Sequence, residues 1–170
     1  FGKSLLISTF EAYFSGRRNL FEGLAVEKLE KDWIKYPILH LDLNTARYDN
    51  KESLLAILNK HLELWEEEFC IKTKETLPEI RFFDVVRCAA EKAGQRVVIL
   101  VDEYDKPLLQ AIGNETLQDE YRSTLKAFYS VMKTQDQYIR FAFLTGVTKF
   151  SKVSVFSDLN NLTDISMSEE

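Results

Sequence analysis

The sequence predicts an α/β fold, a three-layer domain with a parallel sheet between helices, and three observations predict it. The first is the run Val97-Val98-Ile99-Leu100-Val101, preceded by Gly94-Gln95 and stopped by Asp102-Glu103. A continuous β-branched run of this kind reads as a strand buried on both faces, as in parallel sheets covered by helices. The second is alternation: apolar runs at 38 to 43, 97 to 101 and 139 to 145 are separated by longer segments with helical spacing. Strands alternating with helices imply right-handed crossover units and a parallel sheet. The third is the opening, where Gly2-Lys3-Ser4 leads straight into Leu5, Leu6, Ile7, Phe10 and Phe14, an apolar set at helical spacing that ends near Gly16.

The elements follow in order. After the first helix, Asn19 to Lys35 is mixed and charged, with room for one short amphipathic turn. Tyr36-Pro37 then starts the second buried strand, which ends at Asn44 and Thr45. Asn50 or Ser53 can cap a long helix carrying Leu54, Leu55, Ile57, Leu58, Leu62 and Trp65 on its apolar face. Residues 70 to 79 read as a polar connector containing Pro78. A shorter helix with Phe82, Val85, Val86 and Ala89 ends at Gly94, a glycine suited to a left-handed C-cap. Beyond the acidic strand the chain reads as a loop through Pro107 and Gly113, then a helix from Leu117 to Lys133, then the last apolar run into Thr145-Gly146-Val147-Thr148.

With 45% apolar and 29% charged residues over 170 positions, the chain has the composition of one ordinary globular domain with a substantial core. A net charge of -5 and a pI near 5.2 argue against a surface that binds nucleic acid by bulk electrostatics, although a local basic groove is compatible with them. No apolar run approaches the ~20 residues of a membrane helix, and no signal-peptide pattern opens the chain, so a cytoplasmic location is expected. Cys70 and Cys88 fall on segments read as helical, with no C-x-x-C spacing, and are expected to be buried free thiols. His40 and His61 have no partner set and read as structural.

The chemistry is expected at the carboxyl ends of the strands, where parallel sheets bind ligands. Gly2-Lys3-Ser4 is the last part of G-x-x-x-x-G-K-[ST], the P-loop or Walker A signature. There, backbone N–H groups cradle phosphates, the lysine reaches the β and γ phosphates and the hydroxyl binds Mg²⁺. Gly2, Lys3, Ser4 and Leu5 are therefore the expected nucleotide contacts. A bare Gly-Lys-Ser is also common in ordinary loops, and Asp102-Glu103 alone would equally suit a solvated acidic turn. Together they make a pattern: Ser4 and Asp102, the Walker B aspartate, as metal ligands, and Glu103 placed to orient and deprotonate the attacking water. The span between Lys3 and Asp102 leaves room for one strand and its flanking helices, an ATPase-type layout. Thr145, with Thr148 behind it, closes the third apolar run at the same edge and is either a γ-phosphate sensor or a packing residue. Asp105 either reaches the site or stabilises the turn before Lys106-Pro107. Arg122, Arg140 and Lys149 are cations without an assigned role. Since Phe1 lies inside the phosphate loop, the chain is expected to be a fragment, with a strand preceding Gly2.

The matching segments are Phe1 to Leu6, His40-Leu41-Asp42-Leu43-Asn44, Val98 to Leu109 with its Asp-Glu-Tyr-Asp-Lys-Pro-Leu-Leu, Leu125 to Ser130, and Phe143 to Ser151. With these, the chain resembles the AAA-ATPase-like domain of bacterial proteins that carry a C-terminal nuclease-like region of the PD-(D/E)xK type. Val153, Phe156, Asp158, Leu159, Asn160 and Asn161 extend the likeness. The resemblance implies a P-loop NTPase of the ASCE type, with an extra strand between the two nucleotide motifs, and ATP and Mg²⁺ as ligands. It implies a nuclease-like domain beyond Glu170, nucleic acid as a partner through that domain, and leaves an oligomer open.

On this reading Lys3 contacts phosphate, Ser4 and Asp102 hold the metal, Glu103 is the base and Thr145 the sensor. Two rivals stand beside it. One is a nucleotide switch that does not hydrolyse. The other is a metal-dependent nuclease built on Asp42, Asp102, Glu103 and Asp105, which would need a lysine beside its carboxylates and would not need Lys3.

Overall fold

The computed structural model describes residues 2–147, 155–157, 159 and 161–165. It has three parallel strands, β1 (Ile38–Asp42), β2 (Val97–Asp102) and β3 (Ile139–Leu144), in the order β1-β2-β3. The central strand β2 is buried at all six positions, as its unbroken aliphatic run requires. Its side chains alternate between two apolar clusters. Val97, Ile99 and Val101 belong to the larger core, while Val98 and Leu100 meet Ile7 and Phe14 on the opposite face.

Helices supply both outer layers. Helix α1 (Lys3–Phe14) packs through Ile7, Phe10 and Phe14 against Val98, Leu100, Phe141 and Phe143. It ends before Gly16, whose φ of 72° and distance of 2.6 Å from an added Cβ to the Trp33 carbonyl oxygen leave space only for glycine. The other face is covered by α3 (Lys51–Glu68), α4 (Pro78–Ala93) and α6 (Glu115–Thr134). In α3 the buried residues Leu54, Leu58, Leu62 and Trp65 recur at three- and four-residue spacing. Asn50 caps it by accepting the Ser53 N–H, and Asn114 caps α6 by accepting the Leu117 N–H. Gly94 terminates α4 in the left-handed region at φ 64°, as expected.

The structure departs from the sequence expectations in four places. The segment after α1 holds a 3₁₀ turn, Arg18–Phe21, and α2 (Ala25–Leu29) rather than one turn. Pro78 does not sit in a connector but opens α4, where its missing N–H costs nothing. Pro107 likewise opens α5 (Lys106–Gln110), a helix too short to show a period in the sequence. Cys70 is neither helical nor buried: it lies exposed just after α3, at φ 54°, while Cys88 is half-buried on α4 and both thiols are free. Among the described residues, no helix is long and apolar enough to cross a membrane.

Candidate functional site

Strand β2 ends because Glu103 turns into the left-handed region at φ 57°, a conformation costly for a non-glycine residue by about 1 kcal/mol or more. The backbone kink delivers Asp102, Glu103, Tyr104 and Asp105 in succession to the carboxyl edge of the sheet. Strand register puts Asp42 level with Asp102, and Leu144 level with Val101, so Thr145 follows at the same edge.

Asp102 is the hub. It is 6% exposed, and its two carboxylate oxygens accept from two hydroxyls: Ser4 Oγ at 3.2 Å and Thr145 Oγ1 at 2.7 Å. Among the described residues no lysine or arginine pairs with it. Ser4 is 98 positions away in sequence and Thr145 is 43, so only the packing of α1 over β2 and β3 brings the three together. Thr145 Oγ1 also accepts the Glu103 N–H at 3.3 Å. The Glu103 side chain is half-buried and forms no hydrogen bond or ion pair among the described residues. Lys3 Nζ donates to the Gly146 carbonyl oxygen at 2.5 Å.

The backbone after β3 is gripped residue by residue. Thr145 N–H donates to Val101 O and Tyr104 N–H donates to Thr145 O, both at 2.9 Å. Gly146 passes so close to the Tyr104 ring that a Cβ there would lie 2.3 Å from ring carbon Cε1. Burial, with a contribution from the Asp105 charge, pushes the Tyr104 phenol up to about 12. Val147 N–H donates to both Asp105 carboxylate oxygens, at 3.1 and 3.0 Å.

The expected site residues thus fall into two groups. Gly2, Lys3, Ser4, Leu5, Asp102, Glu103 and Thr145 share one edge, the first four exposed at the start of α1. Asp42 does not join the hub: its carboxylate accepts the Asn44 N–H at 2.8 Å, and its own N–H donates to His61 Nε2 at 3.3 Å. With His61 Nδ1 2.9 Å from Ile57 O, that imidazole is an architectural brace carrying its proton on Nδ1. Asp105 is turned toward Val147. Among the described residues, no three His, Cys, Asp or Glu side chains are grouped to hold a metal ion. Arg122 pairs with Asp119 on its own helix, and Arg140 lies 6.0 Å from the Tyr36 ring centre, so neither faces the site. Thr148 and Lys149 lie outside the described residues. Sequence reasoning missed Gly146, which both receives Lys3 and admits the Tyr104 ring; its only signal was a glycine directly after a strand-ending threonine.

The residues suit a nucleotide and a divalent cation. Gly2, at φ 83°, starts α1 with no side-chain cap and no acidic residue in the first turn, so first-turn N–H groups remain available to an anion. A buried carboxylate held, among the described residues, by hydroxyl donors is a hard-oxygen environment of the type Mg²⁺ selects.

Comparison with known proteins bears on the family. The family profile described as Predicted AAA-ATPase matches residues 1–156. A curated relative, "Uncharacterized protein in vnfD 5'region" of Azotobacter chroococcum mcd 1, is 40% identical over 168 residues, covering 98% of this chain and 32% of the relative. The chain therefore spans about a third of the length of that relative. No solved structure matches. A parallel α/β sheet whose edge gathers Lys3, Ser4, Asp102 and Thr145, together with a profile match over nearly the whole chain, places this chain in the AAA-ATPase-like family.

Proposed function

We propose that this domain binds ATP at the start of α1 and hydrolyses it with Mg²⁺, driving or regulating an effector on the same longer protein. The observation that carries this reading is the 3.2 Å approach of the Ser4 hydroxyl to the Asp102 carboxylate. These two residues are 98 positions apart, and a shared metal explains why a hydroxyl and a carboxylate converge beside an uncapped helix start. Lys3 and the N–H groups of Lys3, Ser4 and Leu5 bind phosphate. Ser4 and Asp102 hold the metal, which when bound neutralises charge developing on the phosphoryl oxygens. Glu103, without a competing ion pair among the described residues, accepts the proton of the attacking water. Thr145, hydrogen-bonded to Asp102 and to the Glu103 N–H, relates the metal-binding group to the base and in this reading senses the terminal phosphate. The effector in this reading is a C-terminal PD-(D/E)xK nuclease-like domain.

The test compares two substitutions in the full-length protein. Glu103→Gln retains the shape and removes the charge, so ATP binding stays at the parental level while turnover falls by about 10²-fold or more. Lys3→Ala weakens binding and turnover together, because the ammonium contacts phosphate in ground and transition states alike. Parental turnover in Glu103→Gln would remove the assigned base. ATP binding with turnover at the uncatalysed rate in the parental protein would make the domain a switch instead.

A further inference from the structure

We infer that Asp105 is a positioning residue for the site: it holds the Thr145-Gly146-Val147 backbone so that the Thr145 hydroxyl reaches Asp102 and the Glu103 N–H. The inference rests on the reading of that edge as an ATPase site and extends it to a residue the chemistry itself does not touch. A carboxylate that is 0% exposed is costly to bury unless strong hydrogen bonds hold it. The local explanation for such an aspartate is that it caps the helix it precedes. The geometry speaks against that, for Asp105 stands at the N-cap of α5 with no side-chain cap hydrogen bond. It reaches instead 42 positions along the chain and accepts the Val147 N–H with both oxygens.

The consequence lies two residues upstream. Thr145 is held by its own backbone at Val101 and Tyr104, and Gly146 lies against the Tyr104 ring. Val147, exposed and past the end of β3, has no ladder partner among the described residues; the Asp105 carboxylate closes the grip at the position where the strand stops. Asp102 to Asp105 therefore form a unit. Asp102 meets the Thr145 hydroxyl, Tyr104 the Thr145 carbonyl and the Gly146 backbone, and Asp105 the Val147 N–H. Loss of the last contact lets the 145–147 segment shift, and misplacement of about 1 Å in a positioning element can cost ~10²-fold in rate.

Asp105→Asn removes the charge and one of the two acceptor oxygens and so weakens the bond that Val147→Pro, which has no N–H to donate, abolishes from the other end; Val147→Pro leaves the buried carboxylate in place while altering an exposed side chain. In the full-length protein, each is expected to lower ATP turnover by about 10-fold to 10²-fold, with nucleotide affinity little changed. Adding Asp105→Asn to Thr145→Val should lower turnover no further than Thr145→Val alone, since both act through the same hydroxyl. Amide hydrogen exchange provides a readout independent of catalysis: both variants should speed exchange at Tyr104, whose N–H donates to Thr145. Should Asp105→Asn fail to fold, Val147→Pro decides by the same two measurements. Parental turnover in a variant whose Tyr104 amide has lost protection, or losses that multiply in the double variant, would overturn the positioning role. Unchanged exchange at Tyr104 in Val147→Pro would overturn the grip itself. If Glu103→Gln leaves turnover unaltered, the ATPase reading fails instead, and the exchange result still judges the grip.

Discussion

Gly146 illustrates how tightly the site is built at the scale of one residue. It has to be glycine for steric reasons alone, because an added Cβ would meet three Tyr104 ring atoms within 2.9 Å. Gly146→Ala is therefore expected to destabilise the domain by roughly 1–3 kcal/mol, the usual cost of overpacking, as read from urea unfolding midpoints. Val147→Ala next to it, at an exposed position, should stay within about 0.5 kcal/mol of the parent. Equal losses from the two substitutions would mean that the Tyr104 ring yields easily. Glu103 carries the opposite kind of constraint, a positive φ held by its neighbours, and such strain concentrates where a side chain has to be aimed.

At the scale of elements, α3 and α4 are joined by a buried ion pair as well as by apolar packing. Arg81 donates to both Glu66 carboxylate oxygens at 2.8 Å and to Asn59 Oδ1 at 2.9 Å, with the ion-paired side chains 10% and 12% exposed. The hydrogen bonds that Arg81 donates to Glu66 raise the guanidinium pKa further. Removing one partner strands the other charge in a poorly solvated place, so Arg81→Ala should cost about 3 kcal/mol in urea unfolding. Arg81→Met with Glu66→Leu should cost less than the single substitution, since no lone charge remains. A double variant less stable than Arg81→Ala would show that shape rather than charge governs this seam. By contrast Arg87, with its partners Asp84 and Glu91 on one exposed helix face, contributes little.

The whole molecule buries Tyr48, Tyr104, Tyr121 and Tyr129 in the larger core, and this sets its response to alkali. Tyr129 is fully buried and burial raises its phenol well above the usual value; Tyr48 is raised in the same way, and Tyr104 reaches about 12. These phenols hold their protons more tightly in the folded chain. Below pH 10 both states are neutral and the contribution is complete; above it the unfolded chain ionises first, and stability falls progressively as pH rises through 10 toward 12. Urea midpoints measured from pH 8 to 12 should follow that course. The Tyr129 hydroxyl has no hydrogen-bond partner among the described residues, so Tyr129→Phe should leave stability at pH 7 equal or up to about 1 kcal/mol higher, and flatten the alkaline loss. A loss of stability at pH 7 would reveal a partner for that hydroxyl.

The parallel α/β architecture was legible in the residues because it depends on local pattern. A β-branched aliphatic run bounded by Gly94-Gln95 and by acids reads as a strand buried on both faces, and Leu54, Leu58, Leu62 and Trp65 repeat at the helical period. Ser4, Asp102 and Thr145 were legible as candidates because each closes or opens an element, and in parallel sheets those ends share one edge. What the residues alone left open was decided by contacts between segments remote in sequence. Asp105 could have capped its own turn, yet its partner is Val147; Asp42 could have joined a carboxylate cluster, yet its partners are Asn44 and His61. Helices α2 and α5, at five residues each, are shorter than two turns and leave no period to read. Spacing along the chain encodes which face of an element a side chain occupies, but the distance from Ser4 to Asp102 exists only once α1 has packed across the sheet.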